Sequence, residues 1–347
     1  MPAPTLGCSL KIAHIAPLYY SVPPRRYGGT ERLIAYLVEE QVKQGHQVAL
    51  FASGDSRTSA RLIAPIPRAL ADCRRPIDPT AAHLLLLDHV AERAADFNVL
   101  HFHVDALHFP LVRGLRTPSV TTLYWHQEVP EQDALYRRFK DLSFVALSEH
   151  QRKPRPWLNW RATVYHGLPP SAFPFRRCHG TYLAFVGRIT AEKGVAEAVQ
   201  IARRSGLPLA IAGPVADEDY FKRAVGPYLD DGRVHYVGTL SERAKRTFLS
   251  DAWALLFPSD CSEAYGVVVV EALACGTPVI TYAQGPMPEI VQDGVTGYLT
   301  ESPCDAVRAV RAISSLKRED CRRDFERRFD VQHTAIQYFA VYSDVIA

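Results

Sequence analysis

The hydrophobic residues of this chain alternate between short runs of strand type and longer stretches with helical spacing. LKIAHIAP and HQVALFAS are apolar runs typical of buried strands. Between them, ERLIAYLVEEQVKQG places Ile34, Leu37 and Val38 on one helix face, with Val42 one turn further along. A strand, a helix and a second strand in this order predict a parallel sheet covered by helices.

The same alternation continues along the chain in two series. Further strands of the first series are predicted at FNVLHFHV, PSVTTLYW and LSFVALS. The second series has predicted strands at TYLAFVGR, LPLAIAGP, RVHYVGT and WALLFP, with helical stretches at AEAVQIARRSG and ERAKRTFLSDA. Each series therefore predicts one doubly wound α/β domain.

The predicted domain boundary between the two series lies at HGLPPSAFPFRR, where three prolines and a glycine interrupt the periodicity. We place the boundary near Ala172, with about ten residues of latitude on either side. The length of 347 residues suits two domains, here 1–172 and 173–347, and the last helix can pack back on the first domain. The predicted fold class is α/β, with two Rossmann-like parallel-sheet domains facing a central cleft that binds ligands.

Composition limits which binding partners and which cellular compartment are expected for this protein. The net charge is only +3 and no basic stripe with interleaved aromatic residues occurs, which argues against nucleic acid as a partner. The seven cysteines are odd in number and form no C-x-x-C pair, as expected for a reduced, cytoplasmic protein. The apolar run LKIAHIAPLYY is interrupted by His14 and Pro17 and is too short for a membrane span. We expect a soluble protein, with peripheral contact at the inner face of a membrane left open.

The stretch EAYGVVVVEALACGTPVI sets Glu263 and Glu271 eight residues apart across Gly266. Gly266 lets backbone amides approach a ligand at the N-terminus of a predicted helix, where anionic and polar groups bind. Glu271 then lies on that helix, and its carboxylate can accept two hydrogen bonds from a vicinal diol. The alternative, which local propensity favours, is that the four valines form a buried strand with incidental flanking glutamates.

Two further stretches carry groups suited to phosphates. VGRITAEKG follows a predicted strand, and its Arg188 and Lys193 can bind phosphoryl oxygens. RRYGGTERL places Gly28, Gly29 and Thr30 before the first helix, which Gly29 or Thr30 can cap. The alternatives are a solvated charged loop in the first case and a purely structural strand-to-helix turn in the second.

These stretches resemble the signature of the family 4 retaining glycosyltransferases, and the resemblance covers nearly the whole chain. It implies the two-domain GT-B fold and a nucleotide-sugar held by the two glutamates. Glu263 would contact the sugar hydroxyls and Glu271 the ribose hydroxyls. The amides of Gly266 and Val267 would face the diphosphate, with Tyr265 beside them in the donor site.

The resemblance also assigns the remaining groups. Arg188 and Lys193 would neutralise the diphosphate as it leaves. From the double-glycine loop, Gly29 would face the donor, whereas Gly28 and Thr30 would face the acceptor. The resemblance implies that neither a metal nor a cofactor is needed, because the nucleoside-diphosphate sugar is itself the donor substrate. It also implies that the acceptor is a carbohydrate or is linked to a lipid.

Histidines are concentrated in VLHFHVDALHF, where His101, His103 and His108 lie near Asp105. Such a cluster invites a metal-site interpretation, but the thiolate or carboxylate set that normally completes one is not evident. His101 and His103 share one face of the predicted strand. We interpret His103 and Asp105, at the end of that strand, as acceptor-side contacts, with a packing role as the alternative.

The stretch TTLYWHQEVP departs from the family pattern. There a histidine often ends the strand at about the position of Tyr124, whereas here His126 stands two residues further on. Residues two apart point to the same side of an extended chain. If the strand runs that far, His126 supplies the catalytic group in the cleft; otherwise Tyr124 takes its place. With Arg188, Lys193 and Glu263, His126 completes the predicted catalytic set.

The predicted function is transfer of a sugar from a nucleoside diphosphate to an acceptor, with the anomeric configuration retained. Two other classes share this architecture. A nucleotide-sugar epimerase would need acid and base carboxylates placed for ring chemistry, which the sequence does not identify. A silent nucleotide-sugar binding module would keep Arg188, Lys193 and Glu271 without chemistry in the first domain.

Overall fold

A computed structural model describes residues 9–25, 28–73, 77–259 and 263–347. The chain forms two compact units. The first comprises residues 1–167 and 331–347, and the second comprises residues 168–330. The division thus falls between Gly167 and Leu168, where the sequence places it near Ala172, and the last segment of the chain belongs to the first unit.

In the described residues of the first unit, seven strands form a parallel sheet. They are β1 (Lys11–Ile15), β2 (Gln47–Phe51), β3 (Arg61–Ile63), β4 (Val99–Phe102), β5 (Ser119–Thr122), β6 (Phe144–Ala146) and β7 (Trp160–Thr163). Their order in the sheet is β3-β2-β1-β4-β5-β6-β7. The helices between them are α1 (Gly29–Lys43), α2 (Pro79–Arg93), α3 (Phe109–Val112), α4 (Asp133–Arg138) and α5 (Glu149–Arg152).

The described part of the second unit holds a parallel sheet of six strands. They are β8 (Leu183–Val186), β9 (Leu209–Ala212), β10 (Val234–Tyr236), β11 (Ala254–Phe257), β12 (Val279–Tyr282) and β13 (Gly297–Thr300), in the order β10-β9-β8-β11-β12-β13. Its helices are α6 (Val195–Ser205), α7 (Glu218–Ala224), α8 (Glu242–Ser250), α9 (Val267–Ala274), α10 (Met287–Ile290), α11 (Pro303–Ala312) and α12 (Arg318–Arg328).

The pattern of apolar residues explains how the first helix packs. On α1, Ile34, Leu37 and Val38 are fully buried, and Val42 at the end of the same face is half-buried. The predicted face is therefore the one that packs on the sheet. Burying such a face is what stabilises a surface helix in a protein of this class.

The chain ends in a long helix, α13 (Val331–Ile346), which packs against α1 and β5 of the first unit. Its residues Tyr338 and Tyr342 are completely buried in a core that they share with Ile12 and Val99. The hydroxyl of Thr334 accepts a hydrogen bond from the Gly167 amide at 2.7 Å. The first unit is therefore completed by the end of the chain.

Helix α12 carries arginines that bind backbone carbonyls of the second unit. Arg318 is only 1% exposed, and its guanidinium donates to the carbonyls of Ser250 and Ala252 at 2.8 and 2.7 Å. The same group reaches the Thr277 hydroxyl at 2.8 Å. These contacts join α12 to the end of α8 and to the turn that follows α9.

Across the described ranges, no helix is both long enough and apolar enough to cross a bilayer. Cys8 and Cys261 lie outside the described residues, and the other cysteines carry free thiols.

Candidate functional site

Both sheets contain a point where the direction of winding reverses. In the first unit this point lies between β1 and β4, and in the second between β8 and β11, which pair in parallel. Loops that follow two such strands diverge and leave a crevice at the carboxyl edge, where ligands bind in open α/β sheets. The motifs VGRITAEKG and EAYGVVVVEALACGTPVI follow β8 and β11 and so belong to that edge of the second unit.

The loop after β8 lies directly against the end of β11. Gly194 has a left-handed backbone with φ 73°, and a Cβ there would come within 2.0 Å of the Pro258 carbonyl oxygen. The Ser259 hydroxyl donates to the Glu192 carbonyl at 3.1 Å. A residue other than glycine at 194 would therefore separate the two loops that carry the predicted cations and carboxylates.

Lys193 and Glu263 form an ion pair across these loops, with Lys193 Nζ donating to Glu263 Oε1. Their side chains are 18% and 21% exposed. Arg188 is more exposed, at 39%, and lies 3.8 Å from Glu192. The family resemblance assigns Lys193 to the diphosphate of the donor and Glu263 to its sugar hydroxyls. In the structure these two side chains contact each other.

The four valines that follow Gly266 form the first turns of α9, so the alternative of a buried strand is wrong. Gly266 caps the helix with φ 99°, and a Cβ there would meet the Met287 Cε at 2.7 Å. The packing of Met287 therefore requires glycine at residue 266, and Val267 is the first residue of the helix. Tyr265 is only 2% exposed and packs edge-on against the Phe329 ring, which places it in the interior.

Glu271 lies inside the second unit at 2% exposure and binds a lysine that the sequence did not single out. Lys245 Nζ lies 2.7 Å from Glu271 Oε1 and 3.1 Å from Glu242 Oε1. Burial raises the pKa of the Glu271 carboxyl, and the Lys245 ammonium acts against that rise. Burial also works to lower the pKa of Lys245, but the attraction of Glu271 and Glu242 outweighs it and raises that pKa. The sequence predicts a helix at ERAKRTFLSDA, but no pattern along the chain pairs Lys245 with α9.

In the first unit, the double-glycine loop begins α1 differently from the prediction. The residue that caps the helix is Gly28, with φ 145°, and not Gly29 or Thr30, which already lie within the helix. A Cβ at residue 28 would come within 2.8 Å of the Pro24 side chain and 3.1 Å of Glu31 Oε2, so only glycine fits. Burial raises the pKa of the Glu31 carboxyl to about 7.

The histidines of β1 and β4 form one buried hydrogen-bonded network. His14 Nδ1 lies 2.9 Å from His103 Nε2, and the rings of His101 and His103 are 4.0 Å apart between centroids. His14 Nε2 lies 2.7 Å from Gln41 Oε1, and His103 Nδ1 lies 2.9 Å from the Tyr124 hydroxyl. His101 and His103 thus share one face, as predicted. His103 is buried, which agrees with the alternative that it has a packing role.

The end of the chain closes this network. His101 contacts the Tyr342 hydroxyl through Nδ1 and the Thr122 hydroxyl through Nε2, both at 2.7 Å. Thr122 in turn contacts the Tyr338 hydroxyl at 2.8 Å, and Tyr338 contacts His166 Nε2 at 3.2 Å. Both ring nitrogens of His14, His101 and His103 therefore have a partner within the protein. No sequence pattern links α13 to β4, which is why the prediction missed its tyrosines.

The predicted extension of β5 does not occur, since the strand ends at Thr122. Tyr124 joins the histidine network, whereas His126 is half-buried and its Nδ1 has no hydrogen-bond partner among the described residues. Asp105 is exposed, just beyond the end of β4. The roles assigned to His126 and Asp105 remain predictions.

Acid is expected to destabilise the first unit through the histidine network. Burial lowers the pKa of His14 to about 4 and that of His166 to about 3, so the folded protein holds them neutral. Their contribution to stability is complete above the unfolded pKa of about 6.5 and is lost as the pH falls toward 4. For His14 alone we expect a loss of roughly 3 kcal/mol by pH 4.

Urea unfolding of the unchanged protein and of His14→Gln, between about pH 8 and about pH 4, measures this loss. The variant keeps a hydrogen-bonding side chain but removes one titrating ring, so its stability should fall less steeply with acid. Equal slopes in the two proteins would contradict the assignment.

Comparison with known proteins decides the family. The profile of the family Glycosyl transferases group 1 matches residues 178–332, and that of Glycosyltransferase Family 4 matches residues 27–169. The chain belongs to the family 4 glycosyltransferases. The predicted family is thereby confirmed, and each profile covers most of one structural unit.

Full-length relatives of this glycosyltransferase include two curated enzymes. It is 22% identical to O-antigen chain mannosyltransferase C of Escherichia coli, over 97% of this chain and 99% of that protein. It is 23% identical to phosphatidyl-myo-inositol mannosyltransferase of Mycobacterium leprae, over 97% of both chains. Among solved structures, Anabaena HepE in complex with UDP-glucose superposes with a TM-score of 0.73 and 17% identity, covering 96% of this chain and 100% of that one. The structural likeness confirms the GT-B fold class.

Proposed function

We propose that this glycosyltransferase moves a sugar from a nucleoside diphosphate to an acceptor with retention of configuration and without a metal ion. The observation that carries the proposal is a pair of lysine–glutamate contacts in the second unit. Lys193 with Glu263 joins the loops that follow β8 and β11, and Lys245 with Glu271 joins α8 to α9, the helix that Gly266 caps. Such a set can bind both an anionic diphosphate and the diols of a sugar nucleotide.

In the proposed reaction the bond between the sugar and the diphosphate breaks first. Arg188 and Lys193 stabilise the negative charge that develops on the departing diphosphate, which lowers the barrier. Because Lys193 binds Glu263 in the free protein, the incoming donor must take over that ammonium and release the carboxylate for the sugar hydroxyls. A phosphate oxygen of the leaving group takes the proton of the attacking acceptor on the same face, so the configuration is retained.

The remaining site residues enter the proposal as assigned from the sequence. Glu271 holds the ribose, and Gly29 and the amides of Gly266 and Val267 face the donor. Tyr265, which the resemblance assigned to the donor site, is only 2% exposed and supports the start of α9 from the interior. The first unit presents the acceptor near Gly28, Thr30, His103 and Asp105. Because β5 ends at Thr122, Tyr124 is the alternative to His126 in the catalytic set. The interior position of His103 favours an indirect role for it, through Tyr124.

The classes of donor and acceptor are proposed from the relatives. Two full-length relatives are named as mannosyltransferases, which supports a hexose on the donor. One of them is named for an O-antigen chain and the other for a phosphatidylinositol, which supports a carbohydrate or a lipid-linked acceptor. Such acceptors fit a cytoplasmic enzyme that acts at the inner face of a membrane.

The test is an incubation of the purified protein with a panel of nucleotide-sugars, followed by measurement of nucleotide release with and without acceptors. The proposal expects release of the nucleoside diphosphate that increases when an acceptor is present. An epimerase would instead convert the sugar with the nucleotide still attached. A silent binding module would bind the donor without releasing nucleotide, and either of these results would contradict the proposal.

The two glutamates are expected to have separable roles. Glu271→Ala should weaken binding of the free nucleoside diphosphate about tenfold or more, because it removes a charged hydrogen-bond partner of the ribose. Glu263→Ala should leave that affinity nearly unchanged and lower sugar transfer. Calorimetric titration of each variant with nucleoside diphosphate, alongside turnover, measures both effects. Equal losses of nucleotide affinity would show that the division between sugar and ribose is wrong.

Activity is expected to persist in excess chelator, because lysine and arginine replace a metal at the diphosphate. The sequence contains one Asp-x-Asp pair, Asp217 and Asp219. It lies at the start of α7, where the Asp217 carboxylate caps the helix by accepting from the Tyr220 amide at 2.8 Å. Turnover measured with and without EDTA, with added magnesium or manganese as the control, tests this expectation. Loss of activity in chelator and rescue by either metal would overturn the metal-free proposal.

A further inference from the structure

We propose that Lys245 is a positioning residue for donor binding, which holds the Glu271 carboxylate ionised and in one orientation for the ribose hydroxyls. The inference rests on the proposed function, since it needs Glu271 to contact the ribose. It adds a residue on α8 to a site that is otherwise assigned to the loops after β8 and β11 and to α9.

The geometry places Lys245 between two carboxylates. Glu242 and Lys245 are three residues apart on α8, so their side chains lie on the same face of that helix. From this face Lys245 Nζ reaches Glu271 Oε1 on α9 at 2.7 Å, a normal distance for a charged hydrogen bond. Because the ion pair engages Oε1, it fixes the direction in which the rest of the carboxylate points.

Burial makes this contact necessary rather than incidental. Glu271 is 2% exposed, and an ionised carboxylate at such a depth is unfavourable unless a cation or several donors compensate it. Burial raises the pKa of Glu271, and Lys245 is the first of the groups that oppose the rise. Without Lys245, the carboxyl would take up a proton more readily near neutral pH and would lose its capacity to accept two hydroxyl hydrogen bonds.

The other charged and titratable groups near Glu271 do not replace Lys245. Glu242 is an acid and raises the pKa of Glu271 further. Arg246 also lowers that pKa, but its guanidinium donates to the Ala172 carbonyl at 3.1 Å and lies over the Phe173 ring. Burial raises the pKa of the Cys275 thiol to about 12, so this neighbour is neutral. Lys245 is thus the cation whose charge is directed at the carboxylate.

A purely structural ion pair between α8 and α9 is the competing explanation, and binding measurements separate the two. The probes are UDP and GDP, the dideoxy form of whichever nucleotide binds more tightly, and inorganic pyrophosphate. Each is titrated calorimetrically into the full-length protein and its variants. Lys245→Met removes the charge, Lys245→Arg keeps it, and Lys222→Met on α7 is the matched control at an exposed lysine.

The proposal expects a loss that depends on the ribose hydroxyls. Lys245→Met should raise the Kd for the nucleoside diphosphate about tenfold or more, and the Kd for pyrophosphate and for the dideoxy nucleotide by less than about twofold. Lys245→Arg should recover most of the affinity. Between about pH 6 and about pH 9, the affinity of Lys245→Met should increase with pH, while that of the unchanged protein stays nearly constant.

Two results would overturn the inference. Equal weakening of pyrophosphate and nucleotide binding would show that Lys245 only holds the fold. Nucleotide affinity equal to that of Lys222→Met would show that Glu271 does not need the lysine. Failure of the underlying function is distinguished by Glu271→Gln: if this variant binds the nucleotide and its dideoxy form with an unchanged ratio of affinities, Glu271 does not contact the ribose at all.

Discussion

Lys193→Ala is expected to lower kcat by about two to three orders of magnitude, which is the usual cost of removing one group that stabilises charge in a transition state. The ammonium acts most strongly on the negative charge that develops as the diphosphate leaves, and less on the bound donor. The effect should therefore be larger on kcat than on the affinity for donor. Arg188→Ala should act in the same direction, because it removes the second cation of the same loop.

The control for this experiment is Lys222→Ala, which removes an exposed lysine on α7. Lys193→Ala also leaves Glu263 without its ion-pair partner, so thermal unfolding must show that the variant is folded. Because both side chains of that pair are partly exposed, only a small change in stability is expected. A folded Lys193→Ala variant with near-normal kcat would remove Lys193 from the catalytic set.

Arg318→Ala is expected to destabilise the protein by about 3 kcal/mol or more, because several buried acceptors lose their donor at once. The guanidinium serves the carbonyls of Ser250 and Ala252 and the Thr277 hydroxyl, all within hydrogen-bonding distance. It also reaches the Cys275 carbonyl, directly after α9, at 3.3 Å. The variant should consequently loosen the helix that carries Glu271.

Urea unfolding measures this loss, and Arg323→Ala on the same helix is the matched control. Arg323 is 76% exposed and pairs with Asp320 at the surface, at 2.9 Å, so its removal should cost less than about 1 kcal/mol. Similar unfolding free energies for Arg318→Ala and the unchanged protein would contradict the role given to α12.

Much of the fold was predictable because apolar periodicity is strong in the central strands. The predicted strands at LKIAHIAP, HQVALFAS and TYLAFVGR are β1, β2 and β8, and the predicted face of α1 is the buried one. The short strands β3 and β7 lie at one edge each of the first sheet and were not predicted. Their segments, RLI and WRAT, are exposed or half-buried and carry charged residues, so they lack the apolar run that marks a buried strand.

The candidate site was predictable only as far as local sequence determines it. Gly266 marks the start of α9, and Arg188 and Lys193 occur on one loop, so these features could be read along the chain. Lys245 and Tyr342 could not, because each meets its partner through packing between distant segments. The helix cap at Gly28 was missed for a different reason: Pro24 and Glu31 leave no room for a Cβ at this residue, and only the folded chain brings them there.

Retention of configuration during sugar transfer can be measured without a known acceptor. Time-resolved proton NMR can follow the slow hydrolysis of an α-linked nucleotide-sugar by the protein, with water as the acceptor. We predict that nucleoside diphosphate is released and that the α-anomer of the free sugar forms first, before mutarotation. Initial formation of the β-anomer, or no release of nucleotide from any donor that binds, would contradict it.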